Sequence, residues 1–451
     1  MTARCGDVAT RVIVVGAGIA GLTAAHVLNG AGMSVTVLEA LGRAGGRMTT
    51  DNVNGFLVDR GAQFLSSEYR LLLALADELG LEGSLRETSP WTAIVRDGNV
   101  RTLHAGNPLA PLTSGLLKPA SWLRLGRSGW RLRRSLATLA LNDYSRWAPF
   151  DTESVTAWVD RTIDPSVTEY LFEPMLQGFY FQEPELTSRS LATVLFAFGW
   201  RRSRTLTLAG GIGTLPEALA ARLDVKLDTP VLALEHTAAG VTVTTAAARL
   251  SADYVILAIP APAAQRLYAG SDETSCRLLA TRYSSTINVA IMTDEAYRLP
   301  AKLATVYGLL IPRTERRTIA GIGIESNKGA EYAARGQLLN IMLSHAASES
   351  MRKLDDATIA RRVTKEAEAH FPGLSAHAGG IRVYRWNHAE PYSPVGRAGD
   401  LLHYRSMPLP ADQRVILAGD YMSMPFTEGA AESGRWAAER VRVAASAQDR
   451  L

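Results

Sequence analysis

The chain has 451 residues, and its 48 Lys and Arg against 44 Asp and Glu give a formal net charge of +4. Hydrophobic residues make up 47% and charged residues 20%, which excludes a disordered, collagen-like or coiled-coil chain and indicates a globular protein of two or three domains. Such a small net charge gives no support for a nucleic-acid partner.

Cysteine and histidine usage gives no sign of a disulfide framework or a metal site. The two cysteines, Cys5 and Cys276, lie in no CxxC pair, and the eight histidines show no metal-ligand spacing. No apolar segment of a secretory signal precedes the first strand-like run, so we expect a cytoplasmic location.

A βαβ unit is predicted near the N-terminus. Residues 11–15 (RVIVV) have the pattern of a buried parallel strand, and residues 34–39 (SVTVLE) have that of the next strand. Between them, GAGIAG at residues 16–21 opens a helix that runs to about Asn29. The three glycines of this spacing allow, in order, a tight turn, the close approach of a pyrophosphate, and close packing of the helix on the strand.

An acidic residue completes the nucleotide-binding pattern. Glu39 ends the second strand about 20 residues after the glycines, where its carboxylate can accept hydrogen bonds from both hydroxyls of an adenosine ribose. Phosphates bind favourably at the positive end of the helix dipole. The sequence therefore predicts a dinucleotide-binding domain.

The segment GRAGGRMT at residues 42–49 resembles the GRxGGRxxT signature of the flavin-containing amine oxidoreductase superfamily. That superfamily includes monoamine oxidases, protoporphyrinogen oxidases and phytoene-type desaturases, and the segment wraps the FAD pyrophosphate in its members. The resemblance implies that Arg43 lies beside the phosphates and Arg47 near the flavin, where guanidinium groups offset the diphosphate charge. Further segments follow in the family's order, namely DRGAQF (59–64), GGIGTL (210–215), PV (230–231), ADYVILAIP (252–260) and VILAGD (415–420) with EGA (428–430).

The resemblance implies an FAD cofactor and the residues that hold it. Asp420 would bind the ribityl chain, Val231 would place its backbone against the adenine, and a helix from about Gly429 would point its N-terminus at the flavin. Covalent attachment in this family uses a cysteine in the C-terminal part, whereas the last cysteine here is Cys276, so we expect non-covalent FAD. The expected cofactor-binding residues are Gly16, Gly18, Ile19, Ala20, Gly21, Glu39, Ala40, Arg43, Gly45, Gly46, Arg47, Gly61, Ala62, Gln63, Val231, Gly419, Asp420, Gly429 and Ala430.

These segments predict an α/β, amine oxidase-like two-domain fold. Residues 1–88, 203–276 and 395–451 are assigned to a discontinuous, Rossmann-like FAD-binding domain, and residues 89–202 and 277–394 to an α+β substrate-binding domain. No second GxGxxG motif appears, which argues against an NAD(P)H-dependent disulfide reductase. Electrons should therefore reach the flavin from the substrate.

Two segments of the substrate domain offer candidate site residues. Residues 170–188, which contain Tyr180, resemble a stretch of protoporphyrinogen oxidase-like members. Residues 283–289 resemble the strand that carries, in amine oxidases, a lysine holding a water against flavin N5, and here that position is Asn288. The missing lysine favours the protoporphyrinogen oxidase-like and desaturase-like branches.

Aromatic residues near the C-terminus are candidates for the substrate pocket. The resemblance places Phe426 among the two rings that amine oxidases hold in front of the flavin, where a phenyl ring can pack but cannot donate a hydrogen bond. The second ring is expected around residues 386–392, where Tyr392, Trp386 or neither could serve. Each of these rings could instead belong to ordinary core packing.

Residues 116–147 form the most basic stretch of the chain, with arginines from Arg124 to Arg134 at helical spacing. Such a helix could make peripheral contact with an anionic membrane or guide an acidic substrate inward. A solvated face of the substrate domain is the simpler interpretation.

The sequence predicts an FAD-dependent oxidoreductase that dehydrogenates a small, largely hydrophobic, nitrogen-containing substrate by hydride transfer to flavin N5, with oxygen as electron acceptor. A desaturase or protoporphyrinogen oxidase-like enzyme acting on CH–CH or CH–NH bonds is a second candidate. A flavin monooxygenase is a third, although no segment of the chain clearly matches the second Asp-Gly motif of that class, and that class does not carry the GRxGGR segment. A non-catalytic protein that keeps FAD as a structural core is a fourth.

Overall fold

The computed structural model describes residues 9–105, 107, 110–237, 240–270, 272–410 and 412–448. Residues 1–8 lie outside the described residues. They include Cys5 and most of the N-terminal segment in which a secretory signal would be expected. Cys276 is an exposed free thiol.

The strands within the described residues are β1 (Arg11–Val15), β2 (Ser34–Leu38), β3 (Thr50–Val53), β4 (Phe56–Asp59), β5 (Leu65–Ser66), β6 (Leu85–Glu87), β7 (Trp91–Arg96), β8 (Asn99–His104), β9 (Thr205–Leu208), β10 (Val225–Lys226), β11 (Val231–Thr237), β12 (Gly240–Thr245), β13 (Arg249–Ala252), β14 (Tyr254–Leu257), β15 (Thr286–Thr293), β16 (Val306–Leu310), β17 (Ile319–Ile324), β18 (Leu338–Leu343), β19 (Ala378–Trp386) and β20 (Val415–Leu417).

The α-helices are α1 (Ile19–Gly30), α2 (Arg70–Glu78), α3 (Ala110–Thr113), α4 (Pro119–Thr138), α5 (Val155–Thr162), α6 (Pro165–Val167), α7 (Glu173–Phe179), α8 (Arg189–Trp200), α9 (Thr214–Ala220), α10 (Ala261–Leu267), α11 (Glu273–Leu279), α12 (His345–Met351), α13 (Asp356–Ala367), α14 (Leu374–His377), α15 (Arg397–Ser406) and α16 (Thr427–Gln448).

A five-stranded parallel sheet forms the centre of the nucleotide-binding half, with the order β10-β2-β1-β14-β20. Its central strand β1 is covered on both faces. Val12 and Val14 pack into the core that contains residues of α1 and α16, whereas Ile13 and Val15 pack into the core on the opposite face. Burial on both faces explains why this strand is a continuous apolar run, as its sequence predicts.

Helices α1 and α16 pack closely on one face of this sheet. A Cβ atom on Gly434 of α16 would lie 2.0 Å from the carbonyl oxygen of Ala20 in α1, so only a glycine permits this approach. The contact brings the C-terminal helix against the helix that follows the GxGxxG loop.

The second half is built on a seven-stranded sheet with the order β19-β15-β18-β17-β16-β7-β8. Its pairs are antiparallel except for β16 with β7. Residues of α12 and α13, among them Met351, Ile359 and Val363, complete the core on one face of this sheet. Every residue of β15 is buried, which places Asn288 in the interior.

The observed architecture is an α/β arrangement built on two large sheets, as the sequence predicts. All strands of the five-stranded sheet lie within residues 1–88, 203–276 and 395–451, and all strands of the seven-stranded sheet lie within residues 89–202 and 277–394. The division of the chain into two domains, with its boundaries, stays a prediction.

Candidate cofactor and substrate site

Two glycines shape the turn after β1. Gly16 has φ +102°, and a Cβ atom there would lie 2.7 Å from the carbonyl oxygen of Ala258 in the neighbouring strand connection. A Cβ atom on Gly21 would lie 1.9 Å from the carbonyl oxygen of Gly16. The first glycine therefore permits the turn and the second permits the helix to begin beside it, the roles that the spacing predicts.

The N-terminus of α1 is open. Gly18 is its N-cap and provides no side-chain cap, and a Cβ atom on Gly18 would meet no atom within 4 Å. The helix starts at Ile19, and the side chains of Ile19 and Ala20 are buried. Uncapped N–H groups at a helix dipole's positive end, beside unfilled space, fit the diphosphate of a dinucleotide.

Glu39 is fixed beside this loop by backbone hydrogen bonds. Its Oε2 accepts from the amide of Ala17 at 2.7 Å, and its Oε1 accepts from the amide of Leu41 at 2.9 Å. Each carboxylate oxygen keeps further acceptor capacity for a ribose hydroxyl. Ala40 is exposed next to it, and Val231 at the start of β11 is half-buried.

The GRAGGRMT segment lies against the first glycine loop. The amide of Gly45 donates to the carbonyl of Ala17 at 2.8 Å, and Gly45 and Gly46 have φ +106° and +58°. Arg43 instead turns to Asp51, whose Oδ1 lies 2.6 Å from its Nη1. The contact of Arg43 with phosphate stays a prediction, and it would require this guanidinium to be shared with Asp51.

Arg47 and Asp420 meet in an ion pair. Arg47 Nη1 lies 2.6 Å from Asp420 Oδ2, and the Tyr283 hydroxyl donates to Asp420 Oδ1 at 2.7 Å. The chain turns directly before the carboxylate at Gly419, which has φ +127°. Burial, reinforced by the charge of Asp420, raises the pKa of Tyr283 well above its ordinary value, so this hydroxyl keeps its proton and remains a donor.

The DRGAQF segment passes beside Arg47. The amide of Ala62 donates to the carbonyl of Arg47 at 2.9 Å, and a Cβ atom on Gly61 would lie 2.4 Å from that oxygen. Gln63 Nε2 donates to the carbonyl of Gly61 at 2.7 Å, and its Oε1 accepts from Asn340 at 3.0 Å. The segment is therefore held rigidly by its own backbone and by β18.

Asn288 and Trp386 bind the same carbonyl oxygen. Asn288 Nδ2 donates to the carbonyl of Arg60 at 2.9 Å, and Trp386 Nε1 donates to it at 2.7 Å. Both residues lie on adjacent antiparallel strands, β15 and β19. Their observed contacts therefore position the segment at residues 59–63, which the resemblance places near the flavin.

A buried lysine behind this segment was not anticipated from the sequence. Lys328 Nζ lies 2.7 Å from Asp59 Oδ2 and also contacts Glu325, and all three side chains are fully buried. Burial, only partly opposed by Lys328, raises the pKa of Glu325 to about 7. No local pattern distinguishes Lys328 from a surface lysine, because its partner Asp59 is far away in the chain.

Phe426 belongs to a cluster of three aromatic rings. It stacks on Tyr69 with ring centroids 5.5 Å apart and an interplanar angle of 3°, and it meets Phe198 edge-on at 5.9 Å. Tyr69 and Phe198 were not anticipated. Neither Trp386 nor Tyr392 is among the described ring partners of Phe426, and the location of the second pocket ring at residues 386–392 stays a prediction.

The EGA motif begins α16 and anchors a second helix. Glu428 accepts from the amides of Leu71 and Leu72 at 2.8 and 2.9 Å, which caps the first turn of α2. A Cβ atom on Gly429 would lie 2.3 Å from the carbonyl oxygen of Met424, and the amide of Ala430 donates to the Phe426 carbonyl. The motif therefore fixes Phe426 and its stacking partner together.

The remaining candidate aromatic residues lie in the substrate half. Tyr392 donates to Glu183 at 2.9 Å, and its ring packs edge-on against His345. Tyr180 is buried, and its carbonyl accepts from the Ser284 hydroxyl at 2.9 Å. Tyr180 is thus bound to Ser284 through its backbone, whereas Tyr392 contacts Glu183 and His345.

The basic stretch forms α4 and exposes a mixed face. Leu123 and Trp130 are 70% and 62% exposed, and Arg127 and Arg131 lie on the same side at helical spacing. Arg124 pairs with Asp164 at 3.2 Å. Within the described part of the chain, no helix has the length and hydrophobicity needed to cross a membrane, and no cluster of metal-ligating side chains occurs.

The sequence profile of the family described as flavin containing amine oxidoreductase matches residues 19–442. A Mycobacterium tuberculosis protein provisionally named a flavin-containing monoamine oxidase is 31% identical over 263 residues, which are 55% of this chain and 56% of that protein. The chain spans about half the length of the curated relatives it matches.

Solved structures match over nearly the whole chain. A structure from Exiguobacterium sp. 255-15, provisionally named a protoporphyrinogen oxidase, superposes with a TM-score of 0.78 at 21% identity and covers 97% of this chain and 100% of that one. Cyclohexylamine oxidase from Brevibacterium oxydans IH-35A superposes with a TM-score of 0.75 at 18% identity, covering 98% and 100%. At these identities the superpositions establish the fold.

Proposed function

Because the chain belongs to the flavin-containing amine oxidoreductase family, we propose that it binds FAD non-covalently and dehydrogenates a small, largely hydrophobic, nitrogen-containing substrate, with oxygen as the final electron acceptor. The observation that carries this proposal is the Arg47–Asp420 ion pair, which joins the GRAGGRMT segment to the C-terminal motif beside the aromatic cluster. FAD, when bound, supplies the acceptor for the electrons of the substrate C–H bond.

The residues around the open end of α1 fit the FAD diphosphate and ribose. The uncapped N–H groups after Gly18 would hold the phosphates, and Glu39 would accept hydrogen bonds from the ribose. Arg47 would compensate negative charge while Asp420 binds the ribityl hydroxyls. Cys276, the cysteine within the described residues, lies at an exposed site on α11, which supports a non-covalent cofactor.

The aromatic cluster supplies the substrate side of the proposal. Phe426, Tyr69 and Phe198 present flat apolar surface and exclude water. Orientation of a hydrophobic substrate and exclusion of water are the tasks that remain for the protein when the cofactor carries the redox chemistry.

A second candidate function is that of a protoporphyrinogen oxidase-like or desaturase-like enzyme. The observation that favours it concerns Asn288, which the resemblance places at the position of the family's lysine. Its side-chain amide donates to the Arg60 carbonyl. An amide held in this way offers no basic group to position a water.

The test begins with the visible spectrum of the purified protein before and after acid precipitation. Yellow colour released into the supernatant supports non-covalent FAD. The holoprotein is then mixed anaerobically with amines, dihydropyrroles, porphyrinogens and polyenes. Bleaching by amines or dihydropyrroles supports the first proposal, whereas bleaching by porphyrinogens or polyenes alone supports the second.

A further inference from the structure

Glu390 is held in a fixed position beside the proposed cofactor site, and the proposed function gives it no task. Arg47 Nη1 donates to the carbonyl of the preceding residue, Ala389, at 2.7 Å. The amide of Ser284 donates to the Glu390 carbonyl at 2.8 Å, while the Ser284 hydroxyl donates to the carbonyl of Tyr180 at 2.9 Å. Hydrogen bonds from Arg47 and Ser284 therefore fix the backbone around Glu390, and Ser284 also links it to the carbonyl of Tyr180.

The side-chain carboxylate of Glu390 takes no part in these backbone hydrogen bonds. No described residue forms a hydrogen bond or an ion pair with it, and the ion pair of its cationic neighbour Arg47 is made with Asp420 instead. Glu390 lies deep in the protein yet retains accessible surface. The carboxylate therefore opens into internal space rather than into a completed protein contact.

Two tyrosines lie in the neighbourhood of Glu390. Burial, together with the charge of Glu390 among others, raises the pKa of both Tyr69 and Tyr180, so Glu390 lies within electrostatic range of both hydroxyls. Tyr69 in turn stacks on Phe426. A carboxylate near an aromatic ring attracts cations, because its negative charge and the negative face of the ring both favour a positive group. The same carboxylate repels other carboxylates.

We propose that Glu390 is a specificity-determining residue that binds a cationic nitrogen group of the substrate, an ammonium or amidinium, beside Arg47 and Tyr180. This inference rests on the proposed function and narrows its substrate class. In its ionised form Glu390 selects substrates with a positively charged nitrogen and repels substrates that carry carboxylate groups.

The proposed interaction depends on pH in a defined direction. Burial raises the pKa of Glu390 well above its ordinary value, the charge of Arg47 opposes this rise, and Asp420 adds to it. Tyr69 and Tyr180 keep their protons because burial raises their pKa values. Affinity for a permanently cationic probe therefore falls as the pH decreases through the raised pKa of Glu390.

Benzamidine and benzoate form a matched pair of probes. Both are flat and similar in size, they carry opposite charges, and neither has an oxidisable C–H bond next to nitrogen. Their affinities for the holoenzyme are measured by isothermal titration calorimetry. We expect benzamidine to bind more tightly than benzoate, and Glu390→Gln to weaken benzamidine about tenfold or more without weakening benzoate.

Two further variants make the comparison specific. Glu185→Gln removes a carboxylate that pairs with Arg313 at the surface of the same half, and it should change neither affinity. Glu390→Asp keeps the negative charge and should retain the preference for benzamidine. A wild-type holoenzyme that binds benzamidine no better than benzoate overturns the inference, without recourse to any variant.

The two proposals can fail separately. If Glu390→Gln weakens both probes equally or changes neither, the inference is overturned, while bleaching of the flavin by amines still supports the proposed function. If benzamidine binding depends on Glu390 but no substrate class bleaches the flavin, the inference is supported and the proposed function fails.

Discussion

Arg47 Nη1 and Asp420 Oδ2 lie 2.6 Å apart, and their ion pair joins the GRAGGRMT segment to the C-terminal motif within the proposed FAD site. Asp420 is nearly buried, whereas Arg47 is 28% exposed. Asp420→Asn should remove the charge that balances Arg47 and destabilise the holoprotein by about 1–3 kcal/mol, because the guanidinium would remain in a poorly solvated position. Urea unfolding measures this change. An unchanged midpoint and slope would show that the pair contributes nothing to stability.

Glu39→Ala should weaken FAD binding by about 10- to 100-fold, because the ribose loses a charged acceptor and the amides of Ala17 and Leu41 lose theirs. The ratio of flavin to protein absorbance after dialysis measures retention. Glu82→Ala, a substitution at an exposed position, is the control. A Glu39→Ala protein as yellow as the parent would remove Glu39 from the ribose site.

Phe426→Ala should lower kcat/KM for a hydrophobic substrate about tenfold or more while FAD stays bound, because the ring that stacks on Tyr69 also shapes the substrate space. Steady-state kinetics and the flavin spectrum separate the two effects. Phe426→Tyr keeps the ring and should retain most activity. Equal kinetics for the alanine variant and the parent would place Phe426 outside the pocket.

Glu325 should make the protein less stable as the pH rises. Burial raises its pKa from 4.5 to about 7, so the native state binds an extra proton between these values, and its contribution to stability is lost as the pH passes 7. The expected loss between pH 5 and pH 8 is on the order of 3 kcal/mol at most.

Urea unfolding at the two pH values tests this prediction by comparing the parent with Glu325→Gln. The variant should show a smaller decrease in stability between pH 5 and pH 8, because the group that titrates beside Lys328 has been removed. Identical decreases in the two proteins would show that Glu325 does not titrate in this range.

The exposed face of α4 should bind anionic vesicles. Leu123 and Trp130 are largely exposed beside Arg127 and Arg131, and each arginine near an anionic surface contributes about 1 kcal/mol. The double substitution Arg127→Glu and Arg131→Glu should reduce co-sedimentation with phosphatidylserine vesicles about tenfold or more. Arg335→Glu, at an exposed site outside α4, should not. Equal sedimentation of both variants would assign α4 to a solvated surface.

The nucleotide-binding unit is the part that the sequence predicts best. The predicted strand at residues 11–15 is observed with the same bounds, the helix ends at Gly30 rather than at about Asn29, and the second strand ends at Leu38 rather than at Glu39. Local periodicity and glycine spacing determine these elements, because strand, turn and helix are neighbours in the chain.

The substrate side depends on contacts between distant segments, and the sequence predicts it less well. Tyr69, Phe198 and Phe426 come from three separate segments, and no local spacing shows that their rings meet. Lys328 and Glu390 have the same property. Each is an ordinary charged residue in its own segment. Only the fold buries Lys328 against Asp59, or leaves the Glu390 carboxylate without a partner among the described residues.

Anaerobic reduction of the purified holoprotein tests the central proposal most directly. A hydrophobic amine is added without oxygen while the visible absorbance of the flavin is followed, and oxygen is then admitted. The proposal predicts bleaching by the amine, return of the yellow colour with oxygen, and formation of hydrogen peroxide. A flavin that stays oxidised with every amine and dihydropyrrole tested would contradict it.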